Sequence, residues 1–318
     1  MASFVGGLVS IDADKPSEEV DRRIDWFGSL LVTAGLVQMI YALSQGELAE
    51  NKWRTPCMFP AIFLMSGSSY EKTDIVVTLA CGFLCSIGFL CWQYYLEKAQ
   101  SNGSSYHPAL MSPPLLKLSI VTRANSRVLA MILIAFFNWG SFLAWIFWVQ
   151  LYFQNYKHIS PLQTAIVLLP MLFSGVVCNI LVVFMATRIA LVWMLGLGTV
   201  ATTIACLLFA VIIPDATYWA FSFPAILLSS VGADIISSVG TLFIAKVVLP
   251  HEQSVAGALF MTMTQLGTAV GVTVSTVAAN VAAAQGISDP MSIYRVAQWT
   301  AFGFGAFGEL PFSELTVQ

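Results

Sequence analysis

Seven long apolar stretches, almost free of charged residues, constrain the fold of this chain more than any other feature. A hydrocarbon core about 30 Å thick is crossed by about 20 apolar residues in a helix, and several of the stretches reach that length. Continuous apolar runs exclude a membrane barrel, whose strands are short and alternate. The sequence therefore predicts an all-α, polytopic membrane protein. The predicted spans are Ile24–Ser44, Ile75–Tyr95, Leu129–Tyr152, Leu162–Thr187, Leu191–Ile213, Tyr218–Val248 and Ser254–Ala284. Ser160 as an N-cap and Pro161 as a first-turn proline predict the start of the fourth span.

The composition narrows the partners and the function classes. Hydrophobic residues make up 58% of the chain and charged residues only 10%, where soluble domains carry about 25% charge. The lipid bilayer is therefore the expected partner. Nucleic acid is not expected, because the net charge is -3 and no basic run is present. The sequence shows no clustered metal ligands, no nucleotide loop and no nucleophile with its base, so we expect neither an enzyme nor a bound cofactor or metal.

The distribution of basic residues between the loops predicts the orientation. A cytoplasmic N-terminus would place nine lysines and arginines inside and five outside, which agrees with the positive-inside rule. The inside set is Lys15, Arg22, Arg23, Lys98, Lys117, Arg123, Arg127, Arg188 and Lys246, and the outside set is Lys52, Arg54, Lys72, Lys157 and Arg295.

The chain divides into five parts by this pattern. Two stretches depart from it: Cys57–Thr73 is too short to span and too apolar for an ordinary loop, and Gln298–Phe312 begins like a further span but meets Glu309 and Pro311. We expect an incomplete eighth helix at the second of these stretches. The predicted parts are a cytoplasmic segment at 1–23, two central spans at 24–95, a cytoplasmic loop at 96–128, a five-span bundle at 129–284 and an incomplete last helix with its tail at 285–318.

Several motifs together resemble one transporter family. They are DRRIDWFGSLL (Asp21–Leu31), YALSQGE (Tyr41–Glu47), NWGSFLAWIFWVQLYFQNY (Asn138–Tyr156), SPLQTAIVLLPM (Ser160–Met171), GAD (Gly232–Asp234), GTLFIAKVVLP (Gly240–Pro250) and HEQSVAGALFMTMTQLGTAVG (His251–Gly271). With these motifs the chain resembles the C-terminal portion of fungal major facilitator transporters of the fourteen-span drug:proton antiporter type.

The resemblance implies an expected function. It implies a proton-coupled exporter of drugs or other small molecules in the plasma or vacuolar membrane, with the linker spans and C-terminal bundle of a major facilitator fold. Family members carry a further bundle of six spans before the DRRIDWFG-like segment, so a second chain is a possible source of that bundle. The family keeps the junction at Cys57–Thr73 short, which implies that this segment is an insertion within the two central spans. The tail leaves the family pattern near Phe302, where the family has a complete last helix. The alternative is a truncated, non-transporting membrane protein or a helix-association partner.

Asp234 is the one acidic residue well inside a predicted span. An ionised carboxylate there costs about 2.5–3.5 kcal/mol on insertion scales, and intramembrane acids often serve proton or substrate pathways. Two interpretations stay open for Asp234. Either its protonation is coupled to transport, or its side chain reaches interfacial water near the cytoplasmic end.

Further polar and aromatic residues extend the list of pathway candidates. Asn138, Trp139 and Gln150 on the third span have the polar and aromatic character of a substrate-binding wall, and Gln265 on the seventh span can hydrogen-bond across a helix contact. Aromatic residues near the end of the third span, such as Tyr152, are alternatively an interfacial belt.

Small residues on the seventh span predict a close helix contact. Gly267 and Gly271 have the GxxxG spacing, and Gly257 precedes them on the same span. Small side chains let two helix backbones approach within a membrane, so we expect these three glycines to pack against a neighbouring helix.

Overall fold

The chain folds into eight long helices over the residues that the structure describes. This structure is a computed structural model that describes residues 25–48, 75–101, 114–116, 119–249, 252–285 and 289–316. The helices are α1 (Trp26–Leu48), α2 (Ile75–Ser101), α3 (Ser119–Leu151), α4 (Pro161–Met185), α5 (Leu191–Ala210), α6 (Ser222–Val247), α7 (Gln253–Ala284) and α8 (Pro290–Thr316). The predicted insertion Cys57–Thr73 lies outside the described residues.

The seven predicted spans correspond to α1 through α7, which are all long and apolar enough to cross a membrane. The protein is thus an all-helical, multi-pass membrane protein, as the sequence predicted. The predicted start of α4 is also confirmed: Ser160 accepts a hydrogen bond from the backbone of Gln163, whose side chain accepts one from the backbone of Ser160, and Pro161 is the first helical residue.

Helix boundaries differ most where charged residues follow an apolar run. The sequence predicted a cytoplasmic loop over 96–128, but α2 continues to Ser101 and α3 begins at Ser119. Polar residues end the apolar signal without ending the helix, because a helix satisfies its own backbone hydrogen bonds in water as well as in lipid. The sixth span starts four residues later than predicted, at Ser222 rather than Tyr218.

The C-terminal helix is longer than the sequence indicated. We predicted an incomplete helix that stops near Glu309 and Pro311, whereas α8 is one continuous helix of 27 residues with Pro311 inside it. Its length is about 40 Å, although its composition does not place it among the seven candidate spans. It packs against α3, α5 and α7, and these contacts supply the stabilisation that its local sequence lacks.

Helix α3 lies at the centre of the bundle. It contacts α5, α6, α7 and α8, while α4 packs mainly on α6, and the α1–α2 pair joins the bundle through α1 and α7. The apolar core follows from this arrangement. One cluster includes Met131, Ile236 and Phe260 toward one end of the bundle, and a second includes Trp145 and Phe209 toward the other.

The contact between α3 and α7 is made backbone to backbone. A side-chain carbon built on Gly267 would lie only 2.1 Å from the carbonyl oxygen of Phe136, and one on Gly271 only 2.2 Å from that of Gly140. No larger residue fits at either position. Gly257 differs, since an added carbon there meets no atom of the described residues within 4 Å, so this glycine does not lie in a close contact with any helix that the structure describes.

A buried carboxylate ties the α1–α2 pair together. Asp25 is 2% exposed and accepts hydrogen bonds from the backbone of Gly28 at 2.8 Å, from Trp92 Nε1 at 3.2 Å and from Gln93 Nε2 at 2.8 Å. Gln93 in turn accepts the N–H of Leu116 at 3.2 Å. These bonds fix the start of α1 against the end of α2 and against the residues that precede α3.

Candidate functional site

Asp234 lies on the side of α6 that faces α4. Its Oδ2 accepts a hydrogen bond from Ser230 Oγ at 3.2 Å, one helical turn earlier, and Ser230 is placed to bond the carbonyl of Met171 on α4 at 2.9 Å. Gly175 on α4 makes room for the carboxyl, because a side-chain carbon there would lie 2.7 Å from Asp234 Oδ2. Residues of both α4 and α6 therefore determine where the carboxyl of Asp234 lies.

A second polar contact continues the α4–α6 seam toward the end of α6. Ser238 Oγ donates to Asn179 Oδ1 at 3.0 Å, and the amide nitrogen of Asn179 bonds the carbonyl of Gly175 at 2.9 Å. These groups are exposed rather than enclosed by the bundle. An open row of polar groups at membrane depth is costly next to lipid, so it favours contact with water or with further protein.

The carboxyl of Asp234 is half-buried. Among the described residues, no lysine, arginine or histidine forms an ion pair with it, and the hydroxyl of Ser230 is its hydrogen-bond partner. One hydroxyl does not neutralise a charge. Acidic residues within membrane spans often mark substrate or proton pathways.

Asn138 lies in the interior of the bundle. It is 1% exposed, and its Nδ2 donates to Thr202 Oγ1 of α5 at 3.1 Å. Ser141, one turn further along α3, donates to the carbonyl of Ala301 on α8 at 2.8 Å. Gln298 of α8 bonds the carbonyl of Trp145 at 3.4 Å. This interior cluster joins α3, α5 and α8 by polar contacts.

Several buried atoms near the interior cluster have no hydrogen-bond partner among the described residues. A buried polar atom that stays unpaired costs about 1–3 kcal/mol, so these positions are suited to ordered water. The atoms are Asn138 Oδ1, Trp139 Nε1, Trp145 Nε1 and Gln298 Oε1.

The five predicted pathway residues are not brought together into one site. Asn138 faces α5 and α8, whereas Asp234 faces α4. Gln150 and Gln265 are exposed at the surface of the bundle, and Trp139 is half-buried. Within the part of the chain that the structure describes, no group of three or more His, Cys, Asp and Glu residues is arranged to hold a metal ion.

Sequence reasoning did not select the partners of these residues. Ser230 carried a usable signal, because a residue four positions before Asp234 lies on the same helical face. Thr202 and Asn179 carried none, since their relation to α3 and α6 depends on how the helices pack.

Comparison with known proteins supplies the relatives of this bundle. No protein-family model matches the chain. MFS-type transporter 1 of Pyricularia oryzae is 25% identical over 260 residues, which cover 82% of this chain and 37% of that protein. An uncharacterized MFS-type transporter of Schizosaccharomyces pombe is 22% identical over 94% of this chain and 50% of its own length. The chain is related in sequence to fungal transporters of the major facilitator superfamily (MFS).

A third relative has a named substrate. The low affinity ammonium transporter of Saccharomyces cerevisiae is 23% identical over 93% of this chain and 50% of its own length. The chain thus spans half or less of the length of these three MFS and ammonium transporters. All three of these relatives are named as transporters.

Proposed function

We propose that this protein forms the linker spans and one bundle of a proton-coupled exporter of drugs or other small molecules, of the fourteen-span antiporter type. The observation that carries the proposal is the position of Asp234, a half-buried acid with no basic partner among the described residues, on the open α4–α6 seam of a bundle related to MFS transporters. In such transporters substrate lies between two halves that rock about it.

Asp234 is the proposed proton carrier. Its single hydroxyl partner and the nearby exposed groups of α4 and α6 leave the carboxyl open to water from one side. Protonation removes the cost of holding a charge at membrane depth, so uptake and release of a proton changes the preferred environment of this seam. That difference is what couples a proton gradient to a conformational change.

The remaining pathway candidates have different parts in the proposal. Gln150 and Gln265 are exposed and available to a substrate or to a neighbouring bundle, and Trp139 offers a half-buried aromatic face. Asn138 is enclosed, so we assign it to holding α3 against α5 rather than to direct contact with substrate.

A second bundle is required to complete the transport path. Alternating access needs two bundles that move relative to one another, and the relatives are at least twice as long as the matched part. We propose that the open α4–α6 seam faces this second bundle, supplied by another chain or by further sequence of the same protein. The surrounding membrane is proposed to be the plasma or vacuolar membrane.

The test uses fungal cells that lack their major drug exporters. Expression of the chain together with the N-terminal bundle of an MFS-type relative should lower the accumulation of a cationic fluorescent dye, and a protonophore should abolish the effect. The chain without a second bundle should not export the dye. Asp234→Asn should abolish export at equal membrane abundance, while Asp289→Asn, which changes an acid outside the spans, should preserve it.

Two outcomes would contradict the proposal. Unchanged dye accumulation with both bundles abundant in the membrane would exclude drug export, and export that Asp234→Asn leaves intact would exclude the proton role. Because one relative is an ammonium transporter, uptake of labelled methylammonium is measured in the same cells. Methylammonium uptake without dye export would assign the ion rather than the drug as the substrate.

A further inference from the structure

A π-helical turn ends α3. It covers Tyr152–Tyr156, with the N–H of Lys157 bonded to the carbonyl of Tyr152 at 3.0 Å and the N–H of Ile159 to that of Phe153 at 3.0 Å. His158, which follows Lys157 in the loop, has a φ of 54°, in the left-handed region. π-Turns are rare in proteins, and those that do occur are often found at functional sites. This one turns Tyr152 and Phe153 inward and leaves Lys157 at the mouth of a cavity.

The cavity lies between this turn, the start of α4 and the loop before α6. Its volume is about 240 Å³. The walls are mainly apolar, and the aromatic rings of Phe153 and Phe221 stand among them. Tyr218 closes one side, and its hydroxyl donates to the carbonyl of Val167 on α4 at 2.8 Å. The hydrogen bond and the turn hold the shape of the cavity before anything enters it.

The hydroxyls of two buried residues line the cavity without a hydrogen-bond partner in the described part of the chain. Tyr152 is 3% exposed and Ser222 is 5% exposed. Their hydroxyl oxygens are not among the fully enclosed polar atoms that lack a partner, so both are open to the cavity. A hydroxyl can donate one hydrogen bond to a molecule that enters it. The two groups are therefore arranged for a molecule that brings hydrogen-bond acceptors into the cavity.

The positive charge of Lys157 at the mouth of the cavity favours a negatively charged acceptor. Lys157 lines the cavity, and its ammonium donates to the carbonyl of Pro214, which leaves two of its three donors free for another acceptor. Ser222 is also the first residue of α6, and Phe221 before it provides no side-chain cap, so the positive end of that helix points the same way. The exposed carboxylate of Asp215 interacts electrostatically with Tyr152 but does not line the cavity, so Lys157 is the charged residue in contact with its interior.

We propose that this cavity is a binding site for a small organic carboxylate. The carboxylate accepts hydrogen bonds from Lys157 and from the hydroxyls of Tyr152 and Ser222, and the apolar body of the ligand packs against Phe153 and Phe221. The site is separate from the α4–α6 seam of the proposed transport path and does not depend on it. The carboxylate can belong to a free short acid or to a fatty acid of the bilayer.

Binding to the purified full chain in nanodiscs tests the proposal by titration calorimetry. Benzoate, benzyl alcohol and benzylamine share one ring and differ in charge. Benzoate should bind at least about five-fold more tightly than benzyl alcohol, which is the size of one exposed charge interaction, and benzylamine most weakly. Equal binding of the three compounds, or preference for the amine, would overturn the assignment. Decanoate, which has the chain of a fatty acid, is titrated in the same way. Tighter binding of decanoate than of benzoate would indicate a fatty acid of the bilayer, and tighter binding of benzoate would indicate a free short acid.

Variants separate this site from general binding to the bundle. Lys157→Gln and Tyr152→Phe should each weaken benzoate binding about five-fold, because each removes one hydrogen-bond donor. The matched control is Lys246→Gln, which removes a lysine at the end of α6, away from the cavity, and should leave binding unchanged. Circular dichroism and elution volume verify that the variants fold. Folded variants that bind benzoate like the unaltered chain would disprove the site.

Discussion

The bundle contains two polar clusters in contrasting environments. The interior cluster around Asn138 is enclosed by α3, α5 and α8, and its members are amides and hydroxyls. The seam cluster around Asp234 lies between α4 and α6 and is open on one side. The helices differ in the same way, since 61% of the α3 and α5 spans is buried but only 11% of the α4 span.

The contrast separates polar groups that hold helices together from those that we propose for transport. Neutral groups in an interior find partners on neighbouring helices, and each such bond contributes about 0.6–2 kcal/mol. An acid is costly to enclose unless several donors satisfy it, as they do at Asp25. The location of Asp234 at an open seam, with one hydroxyl partner, agrees with the proposed exchange of protons. Substitutions in the interior cluster should therefore lower stability, whereas substitutions in the seam cluster should lower export.

The largest expected effect comes from the backbone contact between α3, which carries the interior cluster, and α7. Gly271→Val should destabilise the bundle by about 1–3 kcal/mol or abolish its folding, because the side chain would collide with the backbone of Gly140. Thermal stability in detergent, followed by size-exclusion elution, measures the effect. Gly257→Ala is the control, with open space around it, and a gain of about 0.5–1 kcal/mol is expected there. A tolerated Gly271→Val would show that the two backbones are not in contact.

The interior cluster itself should show an intermediate effect. Asn138→Ala removes the bond to Thr202 and should cost about 0.6–2 kcal/mol. Gln150→Ala on the same helix is the matched control, and because Gln150 is exposed the change should stay within about 0.5 kcal/mol. Denaturation of the detergent-solubilised chain compares the two variants. Equal losses would mean that enclosure does not distinguish these polar residues.

The seam cluster should affect transport more than stability. Asp234→Asn keeps the shape of the side chain and should change stability by less than about 0.5 kcal/mol. Gly175→Ala should displace the carboxyl, since the added carbon lies 2.7 Å from it, and should reduce proton-coupled export as Asp234→Asn does. Dye export and thermal stability are measured on the same preparations. A Gly175→Ala variant with full export would show that the location of the carboxyl is unimportant.

An acid outside the spans gives the smallest effect and a reference for the other two clusters. Asp289 precedes α8, and its hydrogen bond from the Ser292 hydroxyl at 2.7 Å, followed by bonds from the backbone of Met291 and Ser292, lowers its pKa. A carboxyl whose pKa is lower in the folded state stabilises that state above the unfolded pKa and loses this contribution as the pH falls through the folded pKa. We therefore expect amide protection at the start of α8 to fall in acid. Protection here means the exchange rate after correction for the intrinsic effect of pH.

The control for this pH effect is Asp289→Asn. Asparagine still caps a helix but does not titrate in this range, so amide protection at the start of α8 should become independent of acid. Protection that falls in acid to the same extent in the variant would assign the pH dependence to another group.

The sequence predicted those features that depend on neighbouring residues. Apolar length located the seven spans, the Ser160–Pro161 pair located the start of α4, and charge inside a span singled out Asp234. Contacts between distant helices were not predictable in this way. Nothing near Asn138 indicates Thr202 as its partner, and the π-turn at Tyr152 depends on how the end of α3 meets α4 and α6.

The order of the helices along the chain has a consequence for synthesis. Ser141 of α3 bonds the carbonyl of Ala301, which lies 160 residues later. At about 5–20 residues per second, α8 leaves the ribosome roughly 8–32 s after α3. During this interval the polar face of α3 is in the membrane without its final partner. Insertion therefore requires temporary shelter for this face, from the translocation machinery or from a chaperone within the membrane, until the last helix arrives.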